Sequence, residues 1–387
     1  MIIQVFFWLS VAAIFHSYLL YPLVLKFLAR NKKENSLIFE PGSELPLVSI
    51  IMSVHNEDVV IQEKIRSLYY TLYPLNKFEV LVGSDNSTDG TNHICKVYSE
   101  NYEHFHFFPF SKRQGKPAVV NQLVEKASGE ILILTDAKVF FEINTIPELV
   151  KHFKNRDIDI VGGNILNEKT YPAGISVQEK AFMNREIRMK YHEGLIWGNT
   201  MGIYGAIYAI RKSAFTQVPS GFSVDDFFIT MNVLRKKRKV ILNLSASSLE
   251  NVPDDIKTEF RRKVRISSGN FQNLWYFASC LWPPFSALSF VFASHKVIRW
   301  IGPFLLILIL ILNGILAFRS DFYSILFASQ LFLCILPFID FILRKINQHI
   351  VILRFVTHFY AMNIALLVGF FKNLTGIKTN IWQPTRR

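Results

Sequence analysis

A chain of 387 residues leaves room for two domains, or for one domain with an appendage, and half of its residues are hydrophobic. Its formal net charge of +13 suits an anionic leaflet or a charged substrate, and because no nucleic-acid motif accompanies it, a nucleic-acid partner is not expected. Cys95, Cys280 and Cys334 have no metal-ligand spacing, which excludes a disulfide-stapled or zinc-finger design and leaves buried thiols in a reducing compartment.

Residues 1–29 contain no acid, and His16 and Lys26 are their only basic side chains. That stretch is long enough to cross a bilayer at roughly 20 residues per span. It opens Met1-Ile2-Ile3-Gln4 without a basic segment and has no small-x-small cleavage site, so an uncleaved anchor is expected in preference to a signal peptide. Arg30, Lys32 and Lys33 follow, which places the next domain on the cytosolic side of the cell (inner) membrane. Residues 30–46 are polar, hold Pro41 and Gly42, and read as a linker.

The next domain spans 47–270. Leu47 to Val54 is an apolar strand ending in His55-Asn56-Glu57, and a helical pattern through Ile61, Ile65 and Leu68 stops before Pro74. A strand from Phe78 runs into Asp85, a helix passes through Ile94 and Val97, and a short strand covers Phe105 to Phe108. The helix 117–127 and the strand 131–134 repeat the alternation, and a strand 158–161 is expected to end at the Gly162-Gly163 turn. Alternation of this kind predicts an α/β domain with a parallel sheet and helices on its faces. Further on stand Gly205 to Arg211, Val224-Asp225-Asp226 at a helix start, and a strand 240–242.

From Phe271 the chain turns apolar. Residues 271–298 are aromatic and interrupted by Trp282-Pro283-Pro284, as interfacial helices would be. Residues 299–343 hold two credible spans, 301–318 and 322–343. In 344–387, the apolar stretch 350–371 contains His358 and Asn363, and a full span would put the basic tail outside. An interfacial or re-entrant helix with a cytosolic tail is therefore expected there.

The chemistry sits at strand ends. Asp85 and Asp136 each close an apolar strand, where open α/β sheets bind ligands. Asp85 could accept from a uracil N–H or ribose hydroxyls, whereas Asp89 suits a turn or helix cap. Gly115-Lys116 precede a helix, and the helix N-terminus and Lys116 would both favour a nearby diphosphate. Asp136 could be one protein ligand of a diphosphate-bridging cation, with Lys138 adding positive charge beside it. Of Asp225 and Asp226, one would cap the helix and the other could serve as general base. Arg262 and Arg265, three apart on a helix, would share one face and could hold a leaving diphosphate.

In order and spacing these motifs resemble the family 2 membrane glycosyltransferases of the cellulose, chitin and hyaluronan synthase type. The resemblance covers roughly 47–275 and rests on Ser53 to Glu57, Asp85 to Thr91, Gly115-Lys116 with Asn121, Asp136-Ala137-Lys138 and Val224-Asp225-Asp226. It implies a GT-A, Rossmann-like nucleotide-sugar domain flanked by transmembrane helices. His55, Asn56, Glu57 and Asp85 would then contact the uridine, with Asp89 and Asn121 beside them. Lys116 would contact the donor, and Asp136 would hold a diphosphate-bound Mg²⁺ or Mn²⁺. Asp226, matching the second acid of the family's pair, would be the base for inverting attack, and Trp382 and Arg387 resemble a C-terminal signature. Two departures stand out: Lys138 replaces an acid of the usual metal motif, and Ile266 replaces the tryptophan that follows Arg265. The expected activity is transfer from a nucleotide-diphosphate sugar, UDP-linked, to a cell-envelope glycan or glycolipid. Alternatives are transfer to a polyprenyl phosphate, or a catalytically silent sugar-nucleotide-binding subunit of a synthase complex.

Overall fold

A computed structural model describes residues 1–40, 42–167, 176–250, 256–346 and 348–376. The chain divides into two compact units. One comprises Leu28–Lys169 and Glu186–Val252, and the other comprises Met1–Phe27, Thr170–Arg185 and Pro253–Gly376.

The first unit is built on one sheet. Its strands are β1 (Val48–Val54), β2 (Phe78–Asp85), β3 (Phe105–Phe110), β4 (Ile131–Thr135), β5 (Val139–Phe141), β6 (Ile158–Asn167), β7 (Ile207–Arg211) and β8 (Lys239–Glu250). Their order is β3-β2-β1-β4-β7-β6-β8-β5. The strands β3, β2, β1 and β4 are mutually parallel, as the alternation predicts. Every residue of β2 and β4 is buried, which is what helices on both faces of a parallel sheet require. Two strands break the parallel order: β7 is antiparallel to β4 and to β6, and the short β5 is antiparallel to β8.

Small residues set the closest packing. A Cβ on Gly83 would stand 2.5 Å from Val119 Cγ1, so the helix Lys116–Lys126 lies tight over the end of β2. The expected turn at Gly162-Gly163 is not a turn. Strand β6 runs on through both glycines to Asn167, shifting register against β8 between Gly162 and Asn164. A side chain on Gly162 would meet Leu242 Cδ1 at 2.9 Å, so glycine answers a close approach there and does not end the strand.

The second unit is helical. Among its described residues, Asp321–Lys345 and Val351–Leu374 are long and apolar enough to cross a membrane, as is Ile2–Ala29 at the chain start. Ala287–Trp300 and Gly302–Ala317 meet at a 64° bend and together form either a broken span or a re-entrant loop. Phe7, Ile309, Leu316 and Tyr323 form a core between the first helix and the 302–345 hairpin. Lys263 bridges the buried Glu179 (2.6 Å) and Glu259 (3.1 Å), and His358 reaches Glu179 at 3.1 Å.

Candidate active site

The crevice lies at the C-terminal ends of β1, β2 and β4. Asn56 and Asn86 turn the chain there with φ of 54° and 56°, a left-handed conformation that asparagine tolerates better than most residues. Asn56 spans the two loops: its N–H donates to Ser87 Oγ (3.1 Å), and its Oδ1 accepts from the Thr88 N–H (2.8 Å). Asp89 accepts from the N–H groups of Thr91 (3.0 Å) and Asp58 (3.1 Å), which closes an Asx-type turn just ahead of the helix Thr91–Asn101.

Asp85 is almost fully buried, and its two oxygens accept the backbone N–H groups of Gln114 (2.8 Å) and Gly115 (3.0 Å). The aspartate therefore fixes the loop before the Lys116–Lys126 helix, while each oxygen keeps a second lone pair. Gly115 sits at φ +86°, where a side chain would be strained. His55 donates from Nδ1 to the Asp85 carbonyl (2.8 Å) and accepts at Nε2 from Arg113 Nη1 (2.9 Å), so these partners select the neutral Nδ1–H tautomer. Arg113 Nε also stands 3.6 Å from Asp85 Oδ2. Asn121 turns elsewhere and makes a reciprocal pair with the Val218 backbone, at 2.9 and 3.1 Å.

Alternating charges mark the other end. Lys116 Nζ is 2.6 Å from Asp136 Oδ1, and Lys138 Nζ is 3.2 Å from Glu57 Oε2. Burial alone would lower the Lys116 pKa, but Asp136 and then Asp225, with Asp226 behind them, hold it above the usual lysine range. Burial raises the Glu57 pKa against the opposing pull of Lys138.

Asp225 and Asp226 open the helix Asp225–Arg235. Asp226 Oδ2 accepts the Gly205 N–H (2.8 Å) and Oδ1 accepts the Phe227 N–H (2.7 Å). Burial, then the neighbouring charge of Asp225, raises its pKa, while Phe227, Lys190 and Lys116 oppose the rise. Tyr208 is buried with its hydroxyl unpaired among the described residues, and burial followed by Asp225, Asp226 and Asp136 drives its pKa upward.

Arg262 and Arg265 belong to the helix Ile256–Tyr276 of the other unit, where Arg262 Nη1 lies 3.4 Å from Glu259 Oε2. Trp382 and Arg387 lie outside the described residues. Sequence reasoning missed Lys64, Lys190 and Gly205. For Lys64 a signal existed, a lysine on the stripe Ile61, Lys64, Ile65, Leu68, whereas Lys190 sits in a helix with no clear apolar face.

As a cation site the arrangement supplies one carboxylate. Among the described residues no three His, Cys, Asp or Glu side chains converge into a metal cage. Asp136, 44% exposed at its side chain, still fits a cation that draws its other ligands from substrate oxygens.

A Rossmann-like sheet with acids and lysines at this edge defines a GT-A glycosyltransferase. Comparison with known proteins agrees: the "Glycosyl transferase family 2" profile matches residues 49–218, and the "Glycosyl transferase family group 2" profile matches 136–371. The chain belongs to glycosyltransferase family 2. It is 33% identical over 148 residues to glycosyltransferase AglE of Haloferax volcanii, covering 38% of this chain and 48% of that protein. It is 25% identical over 242 residues to the probable glycosyltransferase YdaM of Bacillus subtilis, covering 60% and 57%. To the beta-monoglucosyldiacylglycerol synthase of Trichormus variabilis it is 30% identical over 124 residues, covering 32% and 26%. The chain thus spans between a quarter and three fifths of these relatives. A solved mannosyltransferase, PcManGT from Pyrobaculum calidifontis in complex with GDP-Man and Mn²⁺, shares the fold with a TM-score of 0.70 at 20% identity, covering 95% of this chain and 99% of that one.

Proposed function

We propose that the protein is an inverting glycosyltransferase that moves a sugar from a nucleoside-diphosphate donor, UDP-linked, onto a glycan or glycolipid acceptor at the membrane. One observation carries the reading. A single crevice joins a buried aspartate and its anchored loop at one end to Lys116, Asp136, Asp225 and Asp226 at the other.

In this reading His55, Asn56 and Asp85 with its loop receive the nucleoside, and Lys116 and Lys138 face the diphosphate. Asp226 takes the acceptor hydroxyl proton as the oxygen attacks the anomeric carbon from the face opposite the diphosphate. The bond to the diphosphate breaks, and configuration inverts. A pKa above the ordinary aspartate value suits a base that must hold that proton. A divalent cation held by Asp136 and diphosphate oxygens would neutralise charge on the leaving group. Arg262 and Arg265 remain candidates for a diphosphate contact.

Membrane lipids enter through the apolar helices, with the catalytic unit on the cytosolic side. Two relatives act on lipids by name: the beta-monoglucosyldiacylglycerol synthase, and a dolichyl-phosphate beta-glucosyltransferase of Trichomonas vaginalis, 29% identical over 155 residues. The second supports transfer to a polyprenyl phosphate as the alternative acceptor chemistry, and extraction of labelled product into organic solvent before and after mild acid separates the two.

Asp226→Asn tests the base. It is expected to abolish transfer while leaving UDP binding intact, and unchanged turnover would sink the role. A screen of UDP-sugars and GDP-mannose for nucleotide release, with a chelator control, identifies the donor and the cation requirement.

A further inference from the structure

The chemistry above leaves one buried charge unused. Lys64 lies on the helix Ile61–Tyr69, on the same stripe as Ile61, Ile65 and Leu68, and all four have no exposed surface. A lysine among core residues is costly unless its ammonium is fully engaged. Its Nζ donates to Thr135 Oγ1 (2.9 Å) and to the Val139 carbonyl, and it stands 3.8 Å from the centre of the Phe141 ring.

The identity of these partners matters. Thr135 ends β4 and Val139 begins β5, so the ammonium ties together the two ends of the turn Asp136-Ala137-Lys138. The turn is closed further by the Val139 N–H on the Asp136 carbonyl (3.3 Å) and by Thr135 Oγ1 on that same carbonyl (3.4 Å). On the crevice side, Asp136 and Lys138 point to Lys116 and Glu57. Burial pushes the Lys64 pKa well down, and Asp136 is the acid that resists it.

We propose that Lys64 is a positioning residue for the diphosphate end of the donor site, its buried ammonium clamping Thr135 to Val139 so that Asp136 and Lys138 are held ready for the nucleotide. The inference rests on the reading of Asp136 and Lys138 as diphosphate contacts. A lysine serving only the fold would behave differently on substitution. Removing the ammonium leaves the Val139 carbonyl without its donor and costs some stability, so the clamp is read from ligand binding in the folded protein, where a purely structural lysine would leave affinity unchanged.

The test uses the full chain in detergent, with calorimetric titration of UDP or GDP, whichever the wild type binds more tightly, alongside thermal melts. Lys64→Met and Thr135→Val are each expected to weaken nucleotide binding about tenfold, the lower range for loss of a supporting partner, with Tm within a few degrees of wild type. Thr135→Val carries the test if Lys64→Met does not fold. Wild-type affinity in both variants, or a lowered Tm with unchanged affinity in the folded protein, overturns the clamp. Lys138→Ala and Asp136→Ala separate the two layers of the argument. If they weaken binding and the Lys64 and Thr135 variants do not, the clamp fails alone; if neither weakens binding, the diphosphate reading fails and the clamp falls with it.

Discussion

Gly205→Ala is the most discriminating substitution at Asp226, the proposed base. A Cβ on Gly205 would sit 2.9 Å from Asp226 Oδ2 and 3.1 Å from its Cβ and Cγ, whereas ordinary contact begins near 3.4 Å. The carboxylate must move by about half an ångström, and it has little freedom to do so, because its other oxygen is held by the Phe227 N–H at 2.7 Å. The Gly205 N–H···Oδ2 bond of 2.8 Å is lost or lengthened, and a hydrogen bond to a charged group is worth about 1.5–3 kcal/mol. At about 1.4 kcal/mol per factor of ten, kcat is expected to fall roughly 10- to 100-fold. That agrees with the roughly 100-fold cost of a 1 Å misplacement. The proposed nucleoside end hangs on β1 and β2, so nucleotide affinity should stay within about twofold. Steady-state nucleotide release gives kcat and KM separately, and calorimetry gives nucleotide affinity. Wild-type kcat, or a loss confined to donor KM, would refute the reasoning.

Lys190 Nζ lies 3.6 Å from the centre of the Tyr204 ring, and its charge holds the Asp226 pKa down. Lys190→Met should therefore raise that pKa and move the acid limb of kcat to higher pH, while Lys190→Arg leaves it near wild type; an unmoved limb in the Met variant counts against the link. Glu79 Oε1 accepts from Ser49 Oγ (2.5 Å) and from Ser128 N and Oγ (both 2.7 Å). Burial would raise its pKa, but these bonds hold it below the ordinary value. A depressed folded pKa adds stability that is present above the unfolded value of about 4.3 and is lost as pH falls through the folded one. Glu79→Ala should cost about 2–3 kcal/mol at neutral pH and flatten the acid side of the denaturation profile, read by urea titration across pH. In the helical unit burial opposes ionisation of Glu179, yet Lys263 and His358 hold its pKa down at about 2. Its contribution is therefore present above about pH 4.3 and is lost between there and the folded value. Lys263→Met removes the cation that Glu179 and Glu259 share, leaving them His358 and Arg262, and should cost about 3 kcal/mol, seen as a lowered melting temperature at pH 7.

The strands and the crevice were legible because their signals are local. An apolar run ending in Asp85 or Asp136 states both a buried parallel strand and a polar group at its mouth. Long-range hydrogen bonds were not legible. Nothing in the spacing says that Asp85 is committed to the N–H groups of Gln114 and Gly115, or that Asn121 serves Val218. Gly162 misled because glycine reports two different things, a turn or a close approach, and only the position of Leu242 decides between them. Strand β5 was missed because three residues carry no periodicity, and it exists through pairing of Val139 to Phe141 with Glu250 to Ser248.

The direction of β7 decides where Asp226, the proposed base, can be. A strand parallel to β4 would begin at the far edge of the sheet and deliver its preceding loop away from the crevice. Because β7 is antiparallel, Ile207 pairs with Thr135, so β7 begins where β4 ends. The chain just before β7 must then lie over the crevice, and the Asp136 N–H on the Ala206 carbonyl (3.2 Å) pins it there. The next residue back, Gly205, presents its N–H to Asp226, which carries the helix Asp225–Arg235 into the same corner. The backbone of Asp136 and the carboxylate of Asp226, far apart in sequence, are thereby tied to adjacent residues of one segment. That link fixes the Asp226 carboxylate relative to the end of β4, the kind of rigidity a proposed base opposite a leaving group would need. One extra residue between Gly205 and Ile207 should uncouple the proposed base from the donor and abolish kcat with the fold intact, read by nucleotide release beside a thermal melt.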